Sequence, residues 1–271
     1  MAGPVLVGSI DGQPHLHDVV RRGAQLAALL ETDLIVGLCD LDSFDTRVST
    51  SEEELFLTSN SLPKGRVHIA RGASDDVVSW IASLIGKYHP AWICASKDCL
   101  GAEHLLQLSA VKRLIENCCE PIWLVSKAAE RRPIVLAAID PAQEHNKPVR
   151  LDLSILEHAA QLADLLQAQL HVLHAAFAFD VSRSILEEMQ ERRRGIVEEL
   201  VQTYEVPADR VHVPIGLAGM QIERLAEEMR PEAVVMGAVK RGALRQITMG
   251  STAREVVEKL PCDLVAIRSG G

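Results

Sequence analysis

Five short apolar runs occur in the first half of this 271-residue chain and again, in the same order, in the second half. The first half opens on Pro4-Val5-Leu6-Val7-Gly8-Ser9-Ile10-Asp11, and the second on Pro133-Ile134-Val135-Leu136-Ala137-Ala138-Ile139-Asp140. Each ends in a carboxylate, and each is followed by a helical pattern, 19–30 in one half and 151–166 in the other. Second runs follow at 34–39 and 170–175. Third runs come at Gly65-Arg66-Val67-His68-Ile69 and Asp209-Arg210-Val211-His212-Val213, each with a glycine expected just beyond it, Gly72 and Gly216. Fourth runs at 91–95 and 233–237 and last runs at 122–125 and 264–267 complete the two sets. A repeat of this length fixes the architecture before any single residue does. Solid apolar strands alternating with helices require parallel sheets covered on both faces. The reading is therefore α/β, with two doubly wound domains, 1–129 and 130–271, divided at the polar stretch 127–132.

Within the second half, Leu153, Leu156, Ala160, Ala163 and Leu166 are expected to form the buried face of the first helix. A long helix is expected over 184–204, with Ser184 and Glu187 at capping-box spacing. Its run 187–194 (EEMQERRR) reads as a solvated face.

Composition excludes several classes. At 48% hydrophobic the chain can bury a sizeable core, and 3% aromatic residues leave little for stacking single-stranded nucleic acid. A net charge of −9 argues against nucleic acid and against anionic membranes. No apolar run approaches the roughly 18 residues of a membrane span. The opening residues lead straight into a strand pattern without a basic leader, so the expected location is the cytoplasm. Six cysteines in a chain of this length are read as thiols, mostly buried, not as a disulfide framework. His171 and His174, three apart on a strand, should point to opposite faces and cannot share a metal. Cys94 and Cys99 have no second pair at zinc spacing. Neither a metal site nor a catalytic residue is expected, since no hydrolase elbow, zincin or P-loop motif is present.

The stretch 233–269 carries the chemistry. An apolar strand ends at Gly237, a basic segment follows with Lys240, Arg241, Gly242 and Arg245, and Gly250-Ser251-Thr252 opens a helix. Free N–H groups, two hydroxyls and the positive end of a helix dipole make such a start an anion site. The same residues also suit a plain helix cap.

On these residues both halves resemble the universal stress protein family, in a tandem arrangement. The family's nucleotide motif is Gly, two residues, Gly, nine residues, Gly, then Ser or Thr. Gly237 matches the first position and Gly250-Ser251 the last pair, with the nine-residue spacing kept. Lys240 stands at the second position, where it either closes the backbone approach or supplies charge to phosphates. The resemblance implies the adenine-nucleotide alpha-hydrolase-like fold, with strand order 3-2-1-4-5 and a ligand crevice where that order reverses. It further implies that the second half binds ATP, with Mg2+, or another adenine nucleotide. Asp140 would lie at the ribose and metal-phosphate side, Ala175 at the adenine and Gly216 at the crevice wall. Gly237, Lys240, Gly250, Ser251 and Thr252 would hold the phosphates. In the first half Ala95, Asp98 and Leu108 replace the three glycines and only Ser109 survives, so no nucleotide is expected there. The first half would instead mimic the second copy of a family homodimer within one chain, and a dimer of such chains stays open. The resemblance implies a role in the stress response, with weak ATPase activity at most. The alternative is a stress-linked scaffold or regulatory protein with protein partners, or with a small apolar ligand in place of nucleotide.

Overall fold

Val5–Ile10 forms β1, and every apolar residue from Val5 to Val7 in it is fully buried. In a computed structural model of the chain, residues 3–10, 15–40, 51–58, 61–74, 76–97, 104–127, 130–141, 149–176, 182–241, 247–249, 256 and 259–268 are described. The chain divides into two units, Met1–Lys127 and Ala128–Gly271.

In the first unit β1 is followed by α1 (Leu16–Leu29), β2 (Leu34–Asp40), α2 (Glu52–Thr58) and β3 (Val67–Ala73). Then come α3 (Val77–Tyr88), β4 (Trp92–Ser96), α4 (His104–Asn117) and β5 (Ile122–Val125). The strands lie in the order β3-β2-β1-β4-β5, all parallel. Every residue of β4 and of β5 is buried, which is why both read as unbroken apolar runs. Each large aliphatic side chain so buried contributes about 1.5–3 kcal/mol.

The second unit repeats the plan with β6 (Arg132–Ala138), α5 (Val149–Leu165), β7 (Gln169–Leu173), α6 (Arg183–Val201) and β8 (Val211–His212). It continues with α7 (Ala218–Met229), β9 (Pro231–Gly237), β10 (Val239–Arg241), β11 (Ile247–Met249) and β12 (Asp263–Ile267). Its parallel order is β8-β7-β6-β9-β12, which is again 3-2-1-4-5. The doubly wound α/β architecture expected from the repeat is the one observed. Among the described residues no helix is long and apolar enough to cross a membrane.

Several local expectations are corrected. The buried stripe of α5 is Leu151, Asp152, Ile155, Leu156, Ala159, Leu162 and Ala163, while Leu153 is 39% exposed. The helix is rotated relative to the expected face, and that rotation buries a carboxylate. Ser184 and Glu187 make no capping box: Ser182 is the cap residue, and Glu187 pairs with Arg183 at 3.0 Å instead. The reciprocal box forms at α2, where Glu54 N–H donates to Ser51 Oγ and Ser51 N–H donates to Glu54 Oε2. Gly72 lies inside β3 and not beyond it, with the Trp80 indole filling the place of a side chain. The run 187–194 is not wholly solvated. Gln190 Nε2 donates to Val213 O at 2.6 Å and Arg194 Nη1 to Val211 O at 3.0 Å, so α6 satisfies carbonyls of the edge strand β8 and of the residue after it. An edge strand leaves one row of backbone groups unpaired, and these side chains supply the partners.

Of the cysteines, Cys39, Cys94, Cys118 and Cys262 are buried free thiols and Cys119 is exposed. Cys99 lies outside the described residues.

Candidate site at the strand switch point

The order of the second sheet reverses between β6 and β9, and the carboxyl ends of strands at such a reversal are where doubly wound sheets bind ligands. Ala138 pairs with Met236, so Asp140 and Gly237 emerge at neighbouring strand ends. On the other side of β6, Ile139 N–H donates to Leu173 O at the end of β7, carrying the ladder one residue past β6. Ala176 bridges to Ile215, and Gly216 N–H donates to Ala176 O at 2.9 Å. Four expected residues, Asp140, Ala175, Gly216 and Gly237, therefore sit at the carboxyl ends of four adjacent strands. Asp140 is about one-third exposed and Ala175 is half-buried.

Gly216 has φ +143°, a conformation open to glycine and strained for other residues. A Cβ there would also stand 2.6 Å from Gln221 Nε2, which donates to Ile215 O. Gly216→Ala is expected to destabilise the second unit by about 1–3 kcal/mol, read as a lowered urea midpoint. A midpoint equal to wild type would mean the loop relaxes freely. Gly237 is different: its missing side chain is accounted for by packing, since a Cβ would lie 3.1 Å from Leu151 Cδ2.

Lys240 lies in a two-stranded antiparallel ribbon, in register with Thr248 (Val239 with Met249, Arg241 with Ile247). The basic segment expected to be a loop is thus ribbon at both of its ends. Val239, Ile247 and Met249 give those ends the β-branched and apolar character that favours strand. Gly250, Ser251 and Thr252 lie outside the described residues, as do Asp11 and Asp98. Downstream, Val256 and Leu260 are buried as expected, one helical turn apart.

Two residues at the site were not anticipated. Asp152, 3% exposed in the first turn of α5, accepts a hydrogen bond from Asp140 N–H at 3.0 Å. His174, also 3% exposed, has Nδ1 at 3.3 Å from Ile139 O and 3.7 Å from Asp140 Oδ1. Burial lowers the His174 pKa and outweighs the raising effect of Asp140, so the ring is held neutral. Asp152 lay outside the expected apolar face of this helix, on the neighbouring face that is the buried one. His171 lies apart from this group: its Nδ1 is 3.0 Å from His212 Nε2, and the two rings stack at 5.3 Å. Among the described residues no cluster of three or more potential metal ligands occurs. A separate cleft of about 400 Å³ lies at the opposite end of the sheet, lined by Glu130, Arg131, Glu227, Arg230, Pro261 and Cys262. It is remote from Asp140 and contains none of the expected ligand residues.

Order, parallel pairing and switch point together define the adenine-nucleotide alpha-hydrolase-like fold. Within that class, the universal stress protein family model matches residues 134–268. The chain is 23% identical over 173 residues to universal stress protein E of Photorhabdus laumondii, covering 59% of this chain and 55% of that one. It is 26% identical over 168 residues to the universal stress protein E homolog of Haemophilus influenzae, covering 58% and 54%. The chain thus spans about half the length of the curated relatives it matches. Among solved structures, a functionally unknown protein from Pseudomonas aeruginosa PAO1 superposes with a TM-score of 0.74 at 20% identity, covering 98% of this chain and 93% of that one. A universal stress protein from Archaeoglobus fulgidus superposes with a TM-score of 0.62 at 14% identity, covering 99% and 97%.

Proposed function

We propose that this is a tandem universal stress protein of the cytoplasm whose second unit binds an adenine nucleotide, ATP with Mg2+ in the first instance, as part of a stress response. The observation that carries the reading is the convergence of Asp140 and Gly237 on the switch point of a universal stress protein domain. Gly250-Ser251 follows at the family's nine-residue spacing. Asp140 offers a carboxylate to ribose hydroxyls or to the metal-phosphate group. The segment from Gly237 to Thr252 offers backbone N–H groups, two hydroxyls and the Lys240 charge to the phosphates. Among the described residues nothing identifies a general base, so binding is proposed and turnover is not. The first unit has the same strand order with Ala95 in place of the first glycine, and it takes the non-binding role.

Calorimetric titration of the full chain with Mg-ATP tests this, together with chromatography of whatever nucleotide the denatured protein releases. One nucleotide per chain is expected, with affinity reduced roughly tenfold or more in Asp140→Ala and abolished in Gly250→Leu. Absence of both released nucleotide and binding heat at millimolar Mg-ATP would overturn the reading.

The ribbon placing Lys240 opposite Thr248 favours a second reading, in which this segment is closed to phosphate and the protein is a regulatory scaffold. That outcome would follow from the negative titration, and the search would then turn to protein partners.

A further inference from the structure

Past the end of β6, two buried side chains hold the Ile139–Asp140 backbone from opposite sides. Asp152 reaches from α5 and accepts the Asp140 N–H at 3.0 Å, and His174 reaches from the end of β7 to Ile139 O at 3.3 Å. A carbonyl can only accept, so the second bond requires the proton on His174 Nδ1. The same nitrogen lies 3.7 Å from Asp140 Oδ1, so the ring packs beside that carboxylate. His174 Nε2 is buried with no hydrogen-bond partner. Burying a carboxylate and an imidazole with an unpartnered nitrogen is unfavourable, and apolar residues at both places would serve the core better.

The first unit supplies an internal comparison. Ile10 pairs with Cys39 in β1–β2, at the level where Ile139 meets the residue after Leu173, so Cys39 occupies the His174 position. There the group is a fully buried thiol, its sulfur 3.8–3.9 Å from Asp40 O and Ser74 O, with a pKa pushed up to about 11 foremost by burial. The imidazole is therefore not demanded by the fold. It occurs in the unit whose central strand ends at the candidate ligand carboxylate.

We infer that His174 and Asp152 are positioning residues for Asp140, together fixing the strand end and the carboxylate that meets the ligand. This rests on the nucleotide reading for its consequence but not for its geometry. Held in one rotamer, Asp140 meets a ligand without first losing side-chain freedom, which is the gain of a preorganised site.

The test uses the full chain in two readouts. Without nucleotide, side-chain couplings report the Asp140 χ1 rotamer: a single rotamer is expected in wild type and in His174→Asn, which keeps an N–H donor near the Nδ1 position, and averaging is expected in His174→Leu. With Mg-ATP, His174→Leu should bind roughly tenfold more weakly and His174→Asn within about threefold of wild type. Asp152→Ala tests the clamp from the other side and stands in if His174→Leu does not fold: Asp140 should lose its single rotamer, and its amide should exchange at least about tenfold faster. A single Asp140 rotamer in folded His174→Leu, or unchanged rotamer and exchange in Asp152→Ala, overturns the inference. So does a His174→Asn as defective as His174→Leu. Absence of Mg-ATP binding by wild type overturns the nucleotide reading instead, and the rotamer measurement still decides the positioning role.

Discussion

Arg131→Met should destabilise the second unit by about 3–5 kcal/mol, lowering its melting temperature by on the order of 10 °C. Arg131 Nη2 stands 2.9 Å from Asp263 Oδ1, with Arg131 7% exposed and Asp263 fully buried. Arg131 Nη1 also donates to Glu232 O at 3.2 Å and lies 3.8 Å from Glu232 Oε2. Burial opposes the guanidinium charge, and Asp263, Glu232 and Cys262 together outweigh it, raising the pKa above the ordinary arginine value. The chain segment ahead of β6, the second residue of β9 and the first residue of β12 are thus tied by one side chain. Methionine fills the volume and removes the charge, so the loss comes from leaving the Asp263 carboxylate buried without its cation. Adding Asp263→Asn to Arg131→Met should restore a large part of the lost stability, because the uncompensated charge is then gone. Calorimetric scans of the three proteins check this. A single variant that melts with wild type would mean water reaches Asp263 and replaces the guanidinium.

The second large effect is a loss of stability in acid. The His171 pKa is lowered from 6.5 to about 4, first by burial, then by His212 and Arg210, with Asp209 opposing. His212 is lowered by burial and by Arg194 and Arg224, against Asp209 and Glu228. Geometry gives the same direction. The 3.0 Å contact between His171 Nδ1 and His212 Nε2 has room for one proton, and charging both rings would set two N–H groups against each other beside three arginines. The unfolded chain takes up a proton near pH 6.5 and the folded one only near pH 4. Stability is therefore full above about pH 6.5, falls as the pH drops through that window, and levels off below about pH 4. His171 alone accounts for on the order of 3 kcal/mol, and the lowered pKa values of His212 and His174 act in the same direction. Urea midpoints at pH 7.5 and 4.5 measure it. His171→Asn cannot charge and should lose much less between the two, whereas an identical drop in wild type and variant would show that the pair is already open to solvent. The seam that weakens is β7–β8, where the edge strand has only two residues and is held on its outer side by Arg194 at Val211 O and, just past its end, by Gln190 at Val213 O.

The repeated strands were legible because burial on both faces leaves few residue types possible. Val5 to Val7, Trp92 to Ala95 and Val234 to Val235 have nowhere to go but a covered parallel sheet. Gly237, Asp140 and Gly216 were legible as strand ends because a carboxylate or a glycine after such a run marks the point where the backbone leaves the sheet. Asp152 was not, since the α5 periodicity admits two neighbouring faces and the expected one left Asp152 outside the buried stripe. Nor was the split between His171 and His174. Alternation puts them on opposite faces, but only the neighbouring strands give one of them His212 and the other Ile139 and Asp140. The hairpin at Lys240 was hidden because its two strands are three residues each, too short for alternation to stand out from a loop.

The sequence by itself determined the repeated order of strands and helices, the α/β class and the places where strands end, because these follow from apolar periodicity and from glycine, proline and carboxylates at fixed offsets. The tertiary structure alone decided which polar groups meet: Asp152 and His174 at the Ile139–Asp140 backbone, His171 at His212, and Arg131 at Asp263. Those pairings join residues 12 to 132 positions apart, and only the packing of the strands and helices that carry them sets their distances.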